Sequence, residues 1–359
     1  MTVRNRRVAT MASADLHSAQ SRGTTRLPSA GDRKLIAHCA AEMPRVGALV
    51  STLGPSVGAG AQPPGGAERP GHRRGLAPQV RVHHADPVKR YDIDSIENRD
   101  PAAIRRLADW LEPFVRRYFR PVVTGLERIP RGPCLYVGNH NGGLLTPDTF
   151  VFGIAAYRRL GIDALPYGLG HEQAIRWPGV HQLLVPLGAV RAGHDMAARL
   201  FAAGHKALVY PGSDLDAFRP YRLRDRIVFG PRRGYIRLAL RQDVPIVPLV
   251  AAGAHATWIV LDDGQWLARA IGADRWLRSK CAPIALSIPW GLTIGVPLLY
   301  IPLRTRILIE CMEPIRFERR GPDAAADAAY VEACHRRVHG AMEATLARLA
   351  AERRALDRA

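Results

Sequence analysis

Leu135-Tyr-Val-Gly-Asn-His140-Asn-Gly-Gly-Leu-Leu-Thr-Pro-Asp148 is the stretch on which the reading of the chain turns. Leu135 to Val137 is a short apolar run of the kind buried in a sheet, and Gly138-Asn139 are turn formers that end it. The run therefore delivers His140 to a loop. Gly142 and Gly143 follow, then Asp148 behind a proline, and the apolar positions Phe150, Val151 and Ile154 open a helix. A histidine at a strand end, with a carboxylate within one loop's reach, suits a general base and its orienting partner. The same residues also fit a turn whose His and Asp satisfy nearby backbone groups.

Outward from this stretch, strand and helix patterns alternate. A strand and a turn are expected over 122–130, and strands over 164–168, 186–191, 207–210, 244–250 and 305–311. Helices are expected over 149–160, 171–182 (interrupted by Pro178), 195–203, 233–241 and 330–349. Such alternation predicts an α/β fold with a mostly parallel central sheet flanked by helices, and functional residues in the loops at strand ends. Order is expected from about Asp86, giving a working domain over 86–359. Residues 1–85 are a basic extension rich in Arg, Ser, Gly, Pro and Ala that cannot bury enough apolar surface to fold, and disorder is expected there.

Two stretches bear on membranes. Asp100-Pro101 is a helix-start signal. The segment 104–119 that follows sets Ile104, Leu107, Trp110, Leu111, Phe114, Val115, Tyr118 and Phe119 in an apolar stripe bordered by arginines. That pattern suits an amphipathic helix at an anionic membrane interface, and equally one packed on its own domain. Residues 282–303 are nearly uncharged and long enough to span a bilayer, but Pro283, Pro289, Pro297 and Pro302 argue against a clean helix. The expectation is an apolar wall, lining an acyl site or dipping into the membrane interface, in a peripheral or monotopic protein on the cytoplasmic face.

With 51 Lys+Arg against 32 Asp+Glu, the formal net charge is +19. Such a surface attracts nucleic acid, anionic headgroups or phosphorylated and CoA-bearing substrates. A nucleic-acid-binding protein would suit the charge, but no stacking-aromatic or recognition-helix motif accompanies the arginines. The five cysteines form no Cys-x-x-Cys pair and no zinc pattern, so buried thiols in a reducing compartment are expected, with no metal. The N-terminus lacks the apolar core of a secretory signal.

Four blocks together resemble the glycerolipid acyltransferase superfamily, the family of 1-acylglycerol-3-phosphate acyltransferases, over roughly 122–317. They are Val137-Gly-Asn-His140 with Asp148; Leu187-Gly-Ala-Val-Arg191; Leu208-Val-Tyr-Pro-Gly-Ser-Asp-Leu-Asp216; and Phe229-Gly-Pro-Arg-Arg-Gly-Tyr-Ile-Arg-Leu-Ala followed by Val244-Pro-Ile-Val-Pro248. The third is similar to the form found in the diacylglycerol-acyltransferase-like branch. Two departures stand out. Seven residues separate His140 from Asp148 where the family has four, and the third block lacks the family's Glu and Arg.

The resemblance implies a glycerol-3-phosphate acyltransferase-like fold and an O-acyltransferase that needs no cofactor beyond acyl-CoA as co-substrate. His140 would be the general base and Asp148 would fix its tautomer. Backbone N–H groups at Gly142 and Gly143 would hold the oxyanion, and Arg191 would bind a phosphate. Asn139, Gly212, Ser213, Asp216, Arg232 and Arg233 would line the substrate, and Arg219 or Arg222 could replace the missing arginine. The implied partners are acyl-CoA or acyl carrier protein, a lipid acceptor and an anionic membrane surface, with no nucleic acid. The acceptor would be lysophosphatidate or a neutral one, diacylglycerol or a long-chain alcohol. A hydrolase using Ser213 is the further alternative, but no Gly-x-Ser-x-Gly elbow surrounds that serine.

Overall fold

The structure, a computed structural model, describes residues 89–273, 279–297 and 299–358. The disorder expected over 1–85 lies outside the described residues. Among the described residues the strands are β1 (Val122–Thr124), β2 (Leu135–Gly138), β3 (Tyr167–Gly170), β4 (Ala189–Arg191), β5 (Ala207–Val209), β6 (Ile246–Ala252), β7 (Ile259–Asp262), β8 (Ile284–Ser287), β9 (Gly291–Ile294) and β10 (Leu308–Cys311).

Seven strands form the central sheet in the order β1-β10-β6-β2-β5-β3-β4. Five of them, β6, β2, β5, β3 and β4, run parallel. β10 is antiparallel to β6, and β1 is parallel to β10, so these two run the other way. The sheet is thus mostly parallel and flanked by helices, as the strand–helix alternation implies. β2 lies inside it with β5 on one side and β6 on the other. The loops leaving all three therefore emerge together at the sheet's C-terminal edge, where α/β folds collect their sites.

β2 is buried on both faces, as strands of a covered parallel sheet are. Leu135 and Val137 point into the core containing Leu200, Ile236, Val338 and Leu346. Tyr136 faces the other side, its ring 5.4 Å from Phe152 and its hydroxyl donating to the Ala164 carbonyl at 3.2 Å. Phe152 belongs to the helix Pro147–Leu160, which starts two residues before the sequence pattern suggests because proline suits the first helical position. The 171–182 pattern resolves into two short helices, Glu172–Ile175 and Val180–Leu184, parted at Pro178 and Gly179. The closing helix runs from Ala328 to Arg358 and packs on β6.

The helix Pro101–Phe119 is capped by Asp100, whose carboxylate accepts from the Ala102 N–H at 2.8 Å. Ile104, Val115, Tyr118 and Phe119 are buried within the protein, and Tyr118 donates to the Pro302 carbonyl at 2.6 Å. Those positions of the stripe pack on the domain itself, while Trp110 in the same stripe is 46% exposed.

Residues 282–303 do not form a plain wall. They supply the hairpin β8–β9 of a separate three-stranded antiparallel sheet, β7-β8-β9. Among the described residues no helix is long and apolar enough to cross a membrane. The physical reason is periodicity: prolines rule out a continuous helix. On β8, buried Ala285 and Ser287 alternate with exposed Leu286, the two-residue period of a strand. Cys134, Cys281, Cys311 and Cys334 are free buried thiols.

Candidate active site

β2 ends at Gly138, where a Cβ would meet the Tyr210 ring at 2.6 Å, so only glycine lets that ring approach. Asn139 then locks the turn to β6. Its amide donates to the Ala251 carbonyl and its oxygen accepts the Ala251 N–H, both at 2.9 Å. This side chain, expected at the substrate, is committed to the neighbouring strand and fixes where the next residue emerges.

His140 is held by its backbone at both ends. Its N–H donates to Asp216 Oδ2 at 2.6 Å, and its carbonyl accepts from Arg219 Nη1 at 2.7 Å. Asp216 and Arg219 are themselves a fully buried ion pair at 3.0 Å. Asp216 Oδ1 also accepts the Val228 N–H at 2.9 Å. Arg219 further donates to Asn141 Oδ1 at 2.6 Å and to the carbonyls of Leu223 and Arg224, both at 3.1 Å. Every donor and acceptor of the pair has a partner in or beside the His140 loop. A buried ion pair is tolerable only under such satisfaction, and here it acts as a brace.

The His140 ring is half-buried and lies 4.8 Å from the Tyr210 ring. Its Nδ1 is buried and makes no hydrogen bond. Burial, and next the positive charge of Arg219, push its pKa down to about 4, so the imidazole is neutral at pH 7. Asp148, at the start of the helix Pro147–Leu160, is buried. Its Oδ2 accepts from Asn141 Nδ2 at 2.7 Å, while its Oδ1 has no partner. Burial raises its pKa to about 7. No hydrogen bond joins His140 to Asp148 among the described residues; Asn141 takes the aspartate instead.

Gly142 and Gly143 both have left-handed backbones, with φ of 63° and 61°. A Cβ on Gly142 would sit 2.7 Å from Thr257 Oγ1, and one on Gly143 2.8 Å from the Trp258 ring. The Gly142 carbonyl accepts a hydrogen bond from the Tyr300 hydroxyl. Trp258 and Tyr300 stack at 5.2 Å, so the glycine loop rests directly on the buried side of the small sheet.

The other expected site residues are more dispersed. Gly212 allows the Val228 carbonyl to within 2.5 Å of where a Cβ would stand. Ser213 is exposed in a left-handed conformation, φ 48°. Arg232 donates to the Gly212 carbonyl at 2.6 Å and pairs with Asp214 at 2.9 Å; Arg233 pairs with Glu332 at 2.7 Å. Arg191 ends β4, the far edge of the sheet, where its Nε donates to Asp94 Oδ1 at 2.7 Å and its Nη1 lies 3.4 Å from Glu172. β4 is three strands from β2. At strand spacing, that puts Arg191 about 14 Å from the His140 loop.

Sequence reading missed the role of the Asp216–Arg219 pair. The signal was present as an Asp and an Arg at i, i+3, the spacing at which charged side chains meet across a helical turn. It gave no hint that both residues face inward.

Residues 120–252 match the family model described as Acyltransferase. An uncharacterized protein of Mycobacterium tuberculosis is 29% identical over 198 residues, a match that covers 52% of this chain and 54% of that protein. Human diacylglycerol O-acyltransferase 2 is 21% identical over 199 residues, covering 49% of this chain and 47% of that protein. Among solved structures, the 1-acyl-sn-glycerophosphate acyltransferase of Thermotoga maritima aligns with 17% identity and a TM-score of 0.42, covering 69% of this chain and 81% of that one. The chain spans about half the length of the curated relatives it matches. The family match runs from β1 through β6 and contains His140, Asp148 and the bracing pair, so it is through this acyltransferase domain that the chain is similar to the glycerolipid acyltransferases.

Proposed function

We propose that the protein transfers a fatty acyl chain from acyl-CoA, or an acyl carrier protein, to a lipid hydroxyl, with His140 as general base. The observation that carries this is a neutral imidazole, half-buried, on a loop fixed by its own backbone at the C-terminal edge of a parallel sheet. With Nδ1 buried, Nε2 is the nitrogen left to take the proton of the attacking hydroxyl. The hydroxyl oxygen bonds to the thioester carbon, the thiolate leaves, and the imidazolium returns the proton to it. A ring with a pKa near 4 is a weak base, so the imidazolium needs a stabilising charge. Asp148 supplies one once ionised, and its unpartnered Oδ1 and the unpartnered His140 Nδ1 are the atoms such a dyad would join. Backbone N–H groups of the Gly142-Gly143 loop would face the developing oxyanion.

The acceptor that fits best is neutral. A lysophosphatidate carries its phosphate only a C2–C3–O3 linkage from the reacting hydroxyl. Arg191 stands three strands away, and Arg219, close to His140, is buried and saturated. Arg191, only half-buried at that distance, suits a phosphate of the CoA donor instead, which would take the place of the Asp94 and Glu172 carboxylates now on its guanidinium fork.

The test is an assay with labelled acyl-CoA and lysophosphatidate, diacylglycerol or a long-chain alcohol as acceptor. Product is expected with a neutral acceptor, and His140→Ala should lower kcat by about 10²–10⁴-fold with an unchanged melting temperature. A folded His140→Ala protein of undiminished activity would end this reading.

A further inference from the structure

Large exposed apolar side chains are concentrated in one place among the described residues. They include Leu261, Leu286, Trp290, Leu292, Ile294 and Leu299, all on or beside the β7-β8-β9 sheet. Strand register explains why. Val260, Ala285, Ser287 and Thr293 face inward, and the intervening positions form cross-strand rows on the outer face, Ile259–Leu286–Leu292 and Asp262–Ile284–Ile294. An antiparallel sheet with one solvated side ordinarily carries polar residues there. Here the outer residues other than Asp262, at the β7 end of one row, are leucine and isoleucine, with Leu292 64% and Ile294 71% exposed. Contiguous apolar surface of this kind marks an interaction site, whereas single exposed leucines do not.

We propose that this outer face docks on an anionic lipid bilayer. Two exposed tryptophans flank its strands in the chain: Trp290, 61% exposed in the β8–β9 turn, and Trp266, 57% exposed on the helix Gln265–Ala270 that follows β7. Tryptophan favours the headgroup layer, where one end of the side chain is apolar and the other wet. Exposed cations border the sheet in the chain: Arg269 three residues past Trp266, Lys280 before β8 and Arg304 after Leu299. Of the acidic groups beside them, Asp262 and Asp263 accept from the Gly264 and Gln265 backbones, and Asp214 accepts the Lys280 N–H at 2.6 Å and pairs with Arg232. Basic residues around an inserted apolar face, on a chain of net charge +19, match anionic headgroups.

The sheet is also the thin partition between that face and the catalytic loop. Ser287 on its inner side accepts from Trp258 Nε1 at 2.9 Å, and Trp258 lies against Gly143. A lipid acceptor leaving the bilayer at this face reaches His140 across one layer of side chains. That last step rests on the acyltransferase reading; the docking itself does not.

The experiment is vesicle co-sedimentation of the full chain with phosphatidylcholine alone and with phosphatidylcholine containing phosphatidylglycerol. It is run on the wild type, the Leu292→Asp/Ile294→Asp double variant and His140→Ala. Wild type and His140→Ala should both bind the anionic vesicles, and the double variant should lose about tenfold or more of that partitioning. The exposure of both side chains predicts an unchanged melting temperature, and turnover of a detergent-dispersed acceptor should persist. Undiminished vesicle binding by the double variant overturns the proposal. So does a wild-type oligomer that the double substitution dissolves without altering vesicle binding, which would make the face a contact between copies. If acyl transfer is never detected but the vesicle result holds, the catalytic reading fails and the docking stands.

Discussion

His140 and Asp148 are shifted in opposite senses, and their effects on stability oppose each other. His140 falls from 6.5 to about 4. Its contribution is fully present above pH 6.5 and is lost as pH falls through 4, because the unfolded imidazole takes up a proton that the folded one refuses. Asp148 rises from 3.8 to about 7. Its contribution is present below 3.8 and is lost as pH rises through 7. Urea unfolding at several pH values should therefore show wild type gaining on His140→Gln between pH 4 and 6.5, by at most about 3 kcal/mol, and losing ground to Asp148→Asn between pH 4 and 7, by at most about 4 kcal/mol. Profiles that run in parallel at all pH values would contradict these assignments. Activity carries a related signature: kcat should rise as Asp148 ionises near pH 7 and lose that limb in Asp148→Asn. At this scale the sequence showed the histidine, its loop and the glycines, because strand ends and left-handed turns leave local marks. It did not show that Asn141 holds Asp148, since that bond depends on how the longer loop folds back.

Elements decide how firmly the loop stands. The Asp216–Arg219 pair reaches it from the helix Ser213–Ala217 and the turn that follows, and its six Arg219 hydrogen bonds bind three chain segments together. Removing one partner strands a buried charge, so Arg219→Met should destabilise the protein by about 3–5 kcal/mol. Double replacement by Asp216→Leu and Arg219→Met should recover part of that loss, yet leave kcat low because His140 is no longer clamped. Denaturant unfolding of the three variants, read with kcat, separates the two effects. Sheet order carries a second prediction. Because Arg191 lies on β4, three strands from β2, Arg191→Ala should raise KM for acyl-CoA several-fold and leave KM for the acceptor unchanged. The parallel sheet was legible from strand–helix alternation. The β8–β9 hairpin was not, because a long uncharged run reads first as a membrane or wall segment. Its two-residue period appears only where Ser287 and Thr293 turn inward and bond to each other at 2.9 Å.

At the scale of the molecule, charge and sheet direction act together. Five parallel strands gather their C-terminal loops on one edge, and Arg191, at the end of β4, stands on that same edge as the His140 loop. On the proposed reading, the net charge of +19 would draw in a polyanionic donor before any specific contact forms. CoA carries several phosphate charges, so raising NaCl from about 0.02 M to about 0.3 M, which shortens the screening length well below 10 Å, should raise KM for acyl-CoA several-fold with little effect on kcat. An acyl-N-acetylcysteamine donor has the same thioester and no phosphate, and its KM should be nearly insensitive to salt. Initial rates with a detergent-dispersed neutral acceptor keep the bilayer out of the measurement. Equal salt responses for the two donors would mean that the positive field acts on the lipid surface alone. A response confined to acyl-CoA and weakened in Arg191→Ala would locate part of that field at the end of β4.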